Sequence, residues 1–193
     1  MKSSSIWGIS DLTVTTFNWN GVGGKILYTP PATYAVTVGS YEIRKVPLTG
    51  SLMRAFWQFD TSSIPSGSTI SLAEIQFISS DVQAPPNSTA TNIRMGSFVG
   101  GSLDSGDWNG GTTLSLDMFY SGPDAWSDLS AGGIDATALV GVGAGAKTDI
   151  RLDDTSVSVN TTNYNFEKLK SKTQLRVTYT APANKRLAIL GVR

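Results

Sequence analysis

The chain has 193 residues and balances 15 Lys and Arg against 15 Asp and Glu, a formal net charge of zero; that length suits one domain with a real core, and the balance lacks the basic excess that nucleic acid selects. Cysteine and histidine are both absent, which removes disulfides, thiolate chemistry, the commonest metal ligand and the commonest general base. No stretch approaches the roughly 20 apolar residues of a membrane span, and the opening MKSSSIWGISDL lacks the apolar run of a secretory signal, so the expectation is a protein made without export or a piece excised from an exported one.

Residues 1–32 read as an N-terminal arm or an added strand, carrying Ile6, Trp7, Phe17 and Trp19 as candidate partner contacts, with the glycine cluster GVGG (21–24) as the first of the separators between runs. From residue 33 to 181 period-2 alternation dominates, with almost no helical period. TYAVTVGSYEIRKV (33–46) alternates Tyr34, Val36 and Val38, then Tyr41 and Ile43. RAFWQFD (54–60) places Ala55, Trp57 and Phe59 on one face and Arg54, Phe56, Gln58 and Asp60 on the other. Aromatics on both faces predict a central strand, with Trp57 and Phe59 in the core. The chain then turns at Pro65–Gly67 and is expected to return beside that strand as SLAEIQF, with Ala73, Ile75 and Phe77 inward and Glu74 and Gln76 outward.

LDSGDWNGG (103–111) offers Asp104, Asp107 and Asn109. Hard oxygen donors of this kind suit a structural Ca²⁺, and the same residues also suit a plain acidic turn. Trp108, Tyr120 and Trp126 fall in polar segments rich in Gly, Pro and Asp, as ligand-stacking aromatics do; the competing reading is that they cap the ends of the fold. In IDATALV (134–140) Asp135 is placed to cap one helical turn. GVGAGAKT (141–148) approaches a phosphate-binding loop, but Ala146 replaces the second glycine and a strand pattern follows where a helix is required. TDIRLDD, SVSVN and TQLRVTYT complete the strands, the last with Leu175, Val177 and Tyr179 inward. Residues 182–193 form a C-terminal strand or tail, KRLAILGVR, in which Leu187 and Ile189 are candidate contacts. Acidic residues concentrate in 104–154 and basic ones in 167–193, either as two solvated surfaces or as complementary docking charges. Many short strands separated by turn residues predict an all-β fold: a single antiparallel β-sandwich of jelly-roll type with little helix.

RAFWQFDTSSIPSGSTISLAEIQF resembles the DNRLRE-type β-sandwich module, in which Phe-Asp leads through Ser-Ser-Ile/Leu-Pro and a small spacer to an Ala-x-Leu/Ile-x-Phe/Leu strand. The matching positions here are Phe59, Asp60, Ser62, Ser63, Ile64, Pro65, Ala73, Ile75 and Phe77. FEKLKSKTQLRVTYT is similar to the end of that module through Leu175, Val177 and Tyr179, and IDATALVGVGAGAKTDIRLDD to its later part, so the resemblance covers about residues 33–181. It implies a jelly-roll-like sandwich. Members are mostly non-catalytic appendages of secreted bacterial proteins, some similar to modules that hold acidic polysaccharides, and related sandwiches occur on phage virions. The expectation is that this chain departs from the secreted pattern in three ways: no signal, no attached enzyme, and extra ends at 1–32 and 182–193.

The functional expectation is a non-catalytic virion structural protein, such as a phage capsid decoration or fibre protein at the virion surface. Its partners would be capsid or other virion proteins and copies of itself, a trimer being the expected homo-oligomer, with no nucleic acid, no membrane and no cofactor beyond a structural calcium. The alternative is an extracellular carbohydrate-binding module for an acidic polysaccharide. An enzyme would rest either on paired carboxylates, with Asp104, Asp107, Asp153 and Asp154 as the positions to mutate, or on a tyrosine with Lys or Arg as a lyase.

Overall fold

The computed structural model describes residues 12–39, 41–46, 50–76, 91–118, 125–131, 133–154, 167–169 and 173–183. Among them the fold is all-β. The strands are β1 (Leu12–Thr29), β2 (Thr33–Val38), β3 (Tyr41–Val46), β4 (Ser51–Asp60), β5 (Thr69–Gln76), β6 (Thr91–Gly96), β7 (Thr112–Met118), β8 (Trp126–Asp128), β9 (Lys147–Asp154), β10 (Glu167–Leu169) and β11 (Gln174–Thr180). Every pairing between them is antiparallel. Two 3₁₀ turns, η1 (Ser105–Asn109) and η2 (Ala136–Leu139), complete the described elements. Asp135 caps η2, accepting the Thr137 amide at 2.9 Å as its spacing predicts.

One curled sheet runs in the order β7-β6-β9-β4-β1-β11-β5-β8, with β2 beside β1, and β3 between β4 and β10. The long β1 makes this possible. Its first half, Leu12–Asn18, pairs with β11, and from Gly23 onward it pairs with β4 on one side and β2 on the other. The register shifts between Trp19 and Gly23, where the strand bulges and bends. The GVGG cluster, expected as a break between strands, lies inside this strand. A Cβ at Gly23 would stand 2.3 Å from the Phe56 carbonyl oxygen, and one at Gly24 would stand 2.2 Å from that of Thr37. Both have positive φ (141° and 153°), so only glycine lets β1 change partners here.

The bend divides the sheet into two wings whose inner faces meet. Phe17, Ala73, Ile75, Leu175, Val177 and Tyr179 from the β1–β11–β5 wing pack against Ala55, Trp57, Phe59, Ile93, Met95, Ile150 and Leu152 from the β4–β9–β6 wing, with Ile64 and Leu129 closing the cluster. Trp57 and Phe59 are fully buried there, as the alternation predicts. The position of β5 differs from expectation. It pairs with β11 and β8 rather than with β4. The Asp60–Ser68 connection crosses from one wing to the other, and this lets Ala73 and Ile75 face Trp57 and Phe59 instead of lying beside them. Asp60 starts the crossing by accepting the Ser62 amide at 3.1 Å. Hydrogen bonds from Ser62, helped by Lys147, pull the Asp60 carboxyl down to about 2. Ile64 then plugs the core while its carbonyl accepts the Gly143 amide at 2.8 Å. GVGAGAKT is the loop that receives this crossing and runs straight into β9, so its setting is strand after loop, not loop before helix.

Candidate functional site

The second wing is covered on its outer face as well. Phe56 points away from Trp57 into a smaller cluster with Ile26, Val99, Leu103 and Trp108. The roof of this cluster is the 97–111 segment, and sheet side chains hold it by its backbone. Asp149 Oδ2 accepts the amides of Phe98 and Val99, both at 2.7 Å. Gln58 Nε2 donates to the carbonyls of Val99 and Gly100 at 2.8 and 3.2 Å, while its own oxygen accepts from Asn20 at 3.0 Å. A loop rich in glycine gives up much conformational entropy when fixed, and these bonds supply the backbone partners that its burial demands.

Beside this lies a cluster that the sequence reading did not single out. Arg54 of β4, Arg94 of β6 and Arg151 of β9 gather around the single carboxylate of Asp153. Arg151 grips it in a fork, Nε to Oδ1 and Nη2 to Oδ2, each at 2.8 Å. Its Nη1 donates to the Trp108 and Gly110 carbonyls at 2.6 and 2.7 Å. Arg54 Nε sits 3.2 Å from Asp153 Oδ1 and its Nη1 also donates to the Trp108 carbonyl. Arg94 Nε lies 3.5 Å from Asp153 Oδ2. Burial pushes the Arg54 guanidinium down to about 10, against the pull of Asp153, and Arg151 and Arg94 add to the lowering; it still carries its charge at neutral pH. The Arg54 guanidinium lies 3.9 Å from the centre of the Trp108 ring, and Tyr28 and Tyr34 surround that indole with centroids at 5.8 and 5.5 Å.

The sequence-predicted residues distribute as follows. Trp108 is buried and contributes to the second cluster, while Trp126 lies on β8 at the other end of the strand order, so the structure does not bring them together. Asp104 and Asp107 form a reciprocal cap on η1: Asp104 Oδ1 accepts the Gly106 amide at 2.7 Å and Asp107 Oδ2 accepts the Asp104 amide at 2.8 Å. Asn109 ends the same turn. Each carboxylate thus spends an oxygen on the chain itself, and among the described residues no three His, Cys, Asp or Glu side chains gather as a metal site. Phe17 is part of the main core, and Trp19 half-buries itself at the β1 bulge, its Nε1 donating to the Val22 carbonyl at 2.8 Å. Ile6, Trp7, Tyr120, Leu187 and Ile189 lie outside the described residues.

Trp126 has a distinct setting. The register puts Asn18, Gln174, Gln76 and Trp126 in one row across β1, β11, β5 and β8, and Thr16, Arg176, Glu74 and Asp128 in the next. These rows form the outer face of the first wing. Arg176 grips Glu74 in a two-bond fork at 2.7 Å each and lies 4.2 Å from the centre of the Trp126 ring. Gln174 donates to Asn18 at 2.8 Å.

Asp149 gives the roof a pH signature. It is fully buried, and Oδ1 has no hydrogen-bond partner among the described residues. Burial raises its pKa above the usual carboxylate range, against the pull of the Val99 and Phe98 amides, and Asp107 adds to the rise. A carboxyl raised in the folded state favours folding fully below its unfolded value, and that contribution is lost as pH rises through the folded value. Asp149→Asn keeps an acceptor for the two amides and removes the titration. Relative to wild type, the variant should therefore gain stability over the window in which pH rises from the ordinary Asp value of about 4 through the raised value of the folded state. Urea unfolding at both ends of that window measures it, and a difference that stays constant would show that Asp149 titrates normally.

No protein-family model matches this chain, and no curated protein is significantly similar to it.

Proposed function

We propose that this chain is a non-catalytic virion structural protein, of the capsid decoration or fibre kind, built as a jelly-roll-like sandwich that assembles through strand β2. The observation that supports it most directly is β2 itself. Its sequence, TYAVTV, carries no charge, and all six residues are exposed, Tyr34 at 38%, Val36 at 36% and Val38 at 61%. Among the described residues it pairs with β1 alone, which leaves its other edge open. Natural edge strands are blunted by lysine, proline, a bulge or a cover, because an open uncharged edge templates further pairing. A sequence that keeps such an edge bare fits one whose edge is used, by strand addition to a second copy. Addition of β2 to a different edge of the next copy is head-to-tail; where the rotation closes it gives a ring, and the trimer is the size we expect. The absence of histidine and cysteine, and the use of Asp107, Asp149 and Asp153 as partners of amides and guanidiniums, favour a scaffold over a catalyst.

Light scattering should give the wild-type protein a trimer mass, and Val36→Lys should reduce it to the monomer with an unchanged circular dichroism spectrum. A monomeric wild type, or a Val36→Lys variant that assembles normally, overturns the β2 assignment. Mass spectrometry of purified virions against culture supernatant tests the location.

The first wing's outer face favours a second reading, a module that binds an acidic polysaccharide. An aromatic flanked by amides and a guanidinium on an outer sheet face joins an apolar surface for a sugar ring to donors for hydroxyl and carboxylate groups. Trp126→Ala should then lower affinity for a polyuronate at least about tenfold in gel retardation, equivalent to about 1.4 kcal/mol. A wild-type protein that the polymer does not retard ends this reading.

A further inference from the structure

We infer that the open edge of Arg94, at the rim of the Arg54–Arg151–Asp153 cluster, is a binding site for a small oxyanion of the carboxylate or phosphate type. Charge is the first argument. Three guanidiniums stand against one carboxylate among the side chains described there, and the remaining partners are the neutral carbonyls of Trp108, Gly110 and Gly111. Among the described residues, an anion arriving at this rim meets a local excess of two positive charges, partly sheltered from solvent, where Coulomb attraction exceeds its value in bulk water.

The second argument is how unevenly the three guanidiniums are used. Arg151 commits Nε, Nη1 and Nη2 to four acceptor contacts and is buried. Arg54 is bonded at Nε and Nη1 and covered by the Trp108 ring. Arg94 differs from both. Its Nε is buried with no hydrogen bond, its contact with Asp153 is long, and Nη1 reaches the Gly111 carbonyl only at 3.4 Å. Its side chain is 30% exposed. A guanidinium presents five donors in a planar fork that matches two oxygens of one anion. Arg94 is partly exposed, and among the described residues its donors make only these two long contacts, while Arg151, directly opposite in the β6–β9 register, raises the field. The Arg176–Glu74 pair on the other wing shows the contrast: there one arginine is matched by one carboxylate in a fork of two short bonds.

The test uses the full chain, with inorganic phosphate and acetate as separate probes, each titrated at constant ionic strength with chloride as the balancing ion. Thermal unfolding should show a saturable rise with at least one probe, and calorimetry should give the matching dissociation constant. Which probe binds more tightly separates the phosphate source from the carboxylate one. Arg94→Gln should weaken binding at least tenfold, and Arg176→Gln should leave it unchanged. Arg94→Lys keeps the charge without the fork and should retain only a fraction of the affinity; it serves also if Arg94→Gln fails to fold. No saturable rise above chloride, full binding by Arg94→Lys, or equal loss in Arg176→Gln would each overturn the site.

Discussion

Asp153→Ala should destabilise the protein by about 3–5 kcal/mol, the cost of breaking a buried ion pair by removing one partner. Asp153 is buried and accepts the fork of Arg151, which is itself fully buried; Arg54 and Arg94 approach the same carboxylate. Without it, three guanidiniums are left beside one another, Arg54 and Arg151 largely covered, with only carbonyls as acceptors among the described residues. Repulsion and unmatched desolvation then act together. Urea unfolding at neutral pH measures the loss, and an Arg151→Met, Asp153→Leu double variant sharpens it. Replacing both charges with apolar groups of similar size removes the desolvation cost as well as the attraction, so the double variant should be more stable than Asp153→Ala. If Asp153→Ala costs less than about 1 kcal/mol, the carbonyls alone neutralise the cluster and the carboxylate is not its keystone.

This cluster also marks where reading the sequence stops. Met53-Arg54-Ala55, Ile93-Arg94-Met95 and Ile150-Arg151-Leu152 share one pattern, an arginine between two inward residues, and alternation alone turns each arginine to the outer face. Leu175-Arg176-Val177 shows it a fourth time. What alternation does not contain is adjacency. Arg54, Arg94 and Arg151 meet because β4, β9 and β6 are neighbours, and that order is set by long-range pairing. The same limit explains β5, expected beside β4 from its closeness in sequence and found on the opposite wing. It also explains Trp108, whose polar neighbours suggest exposure, although Arg54, Tyr28 and the second cluster cover it. Local features fared better. The inward faces of β4, β5 and β11, the Asp135 cap and the two short strands on either side of Gly39 all follow from spacing and turn chemistry within a few residues. GVGG was legible as special but not as to why, since its glycines answer to Phe56 and Thr37 carbonyls distant in the chain.

Trp57→Ala should cost about 3–5 kcal/mol, the range for emptying a buried large aromatic site. Trp57 is fully buried at the middle of β4, between Gly23 of β1 and Ile150 of β9, where the two wings meet. Little can collapse into the space it leaves. One neighbour in register is a glycine without a side chain, and the other, Ile150, is itself fixed in a paired strand. In a chain of this size about 1 kcal/mol shifts the melting temperature by roughly 2–4 °C, so the expected drop is roughly 6–20 °C. Phe56→Ala is the informative comparison, because the adjacent side chain points to the other face and packs under the roof with Val99 and Leu103. It should loosen the 97–111 segment, seen as faster amide exchange at Phe98 and Val99, to a greater degree than Trp57→Ala does at equal global stability. A Trp57→Ala protein that melts at the wild-type temperature yet loses assembly or ligand binding would place Trp57 in a working surface and undo the assignment of the inner face of β4 to the core.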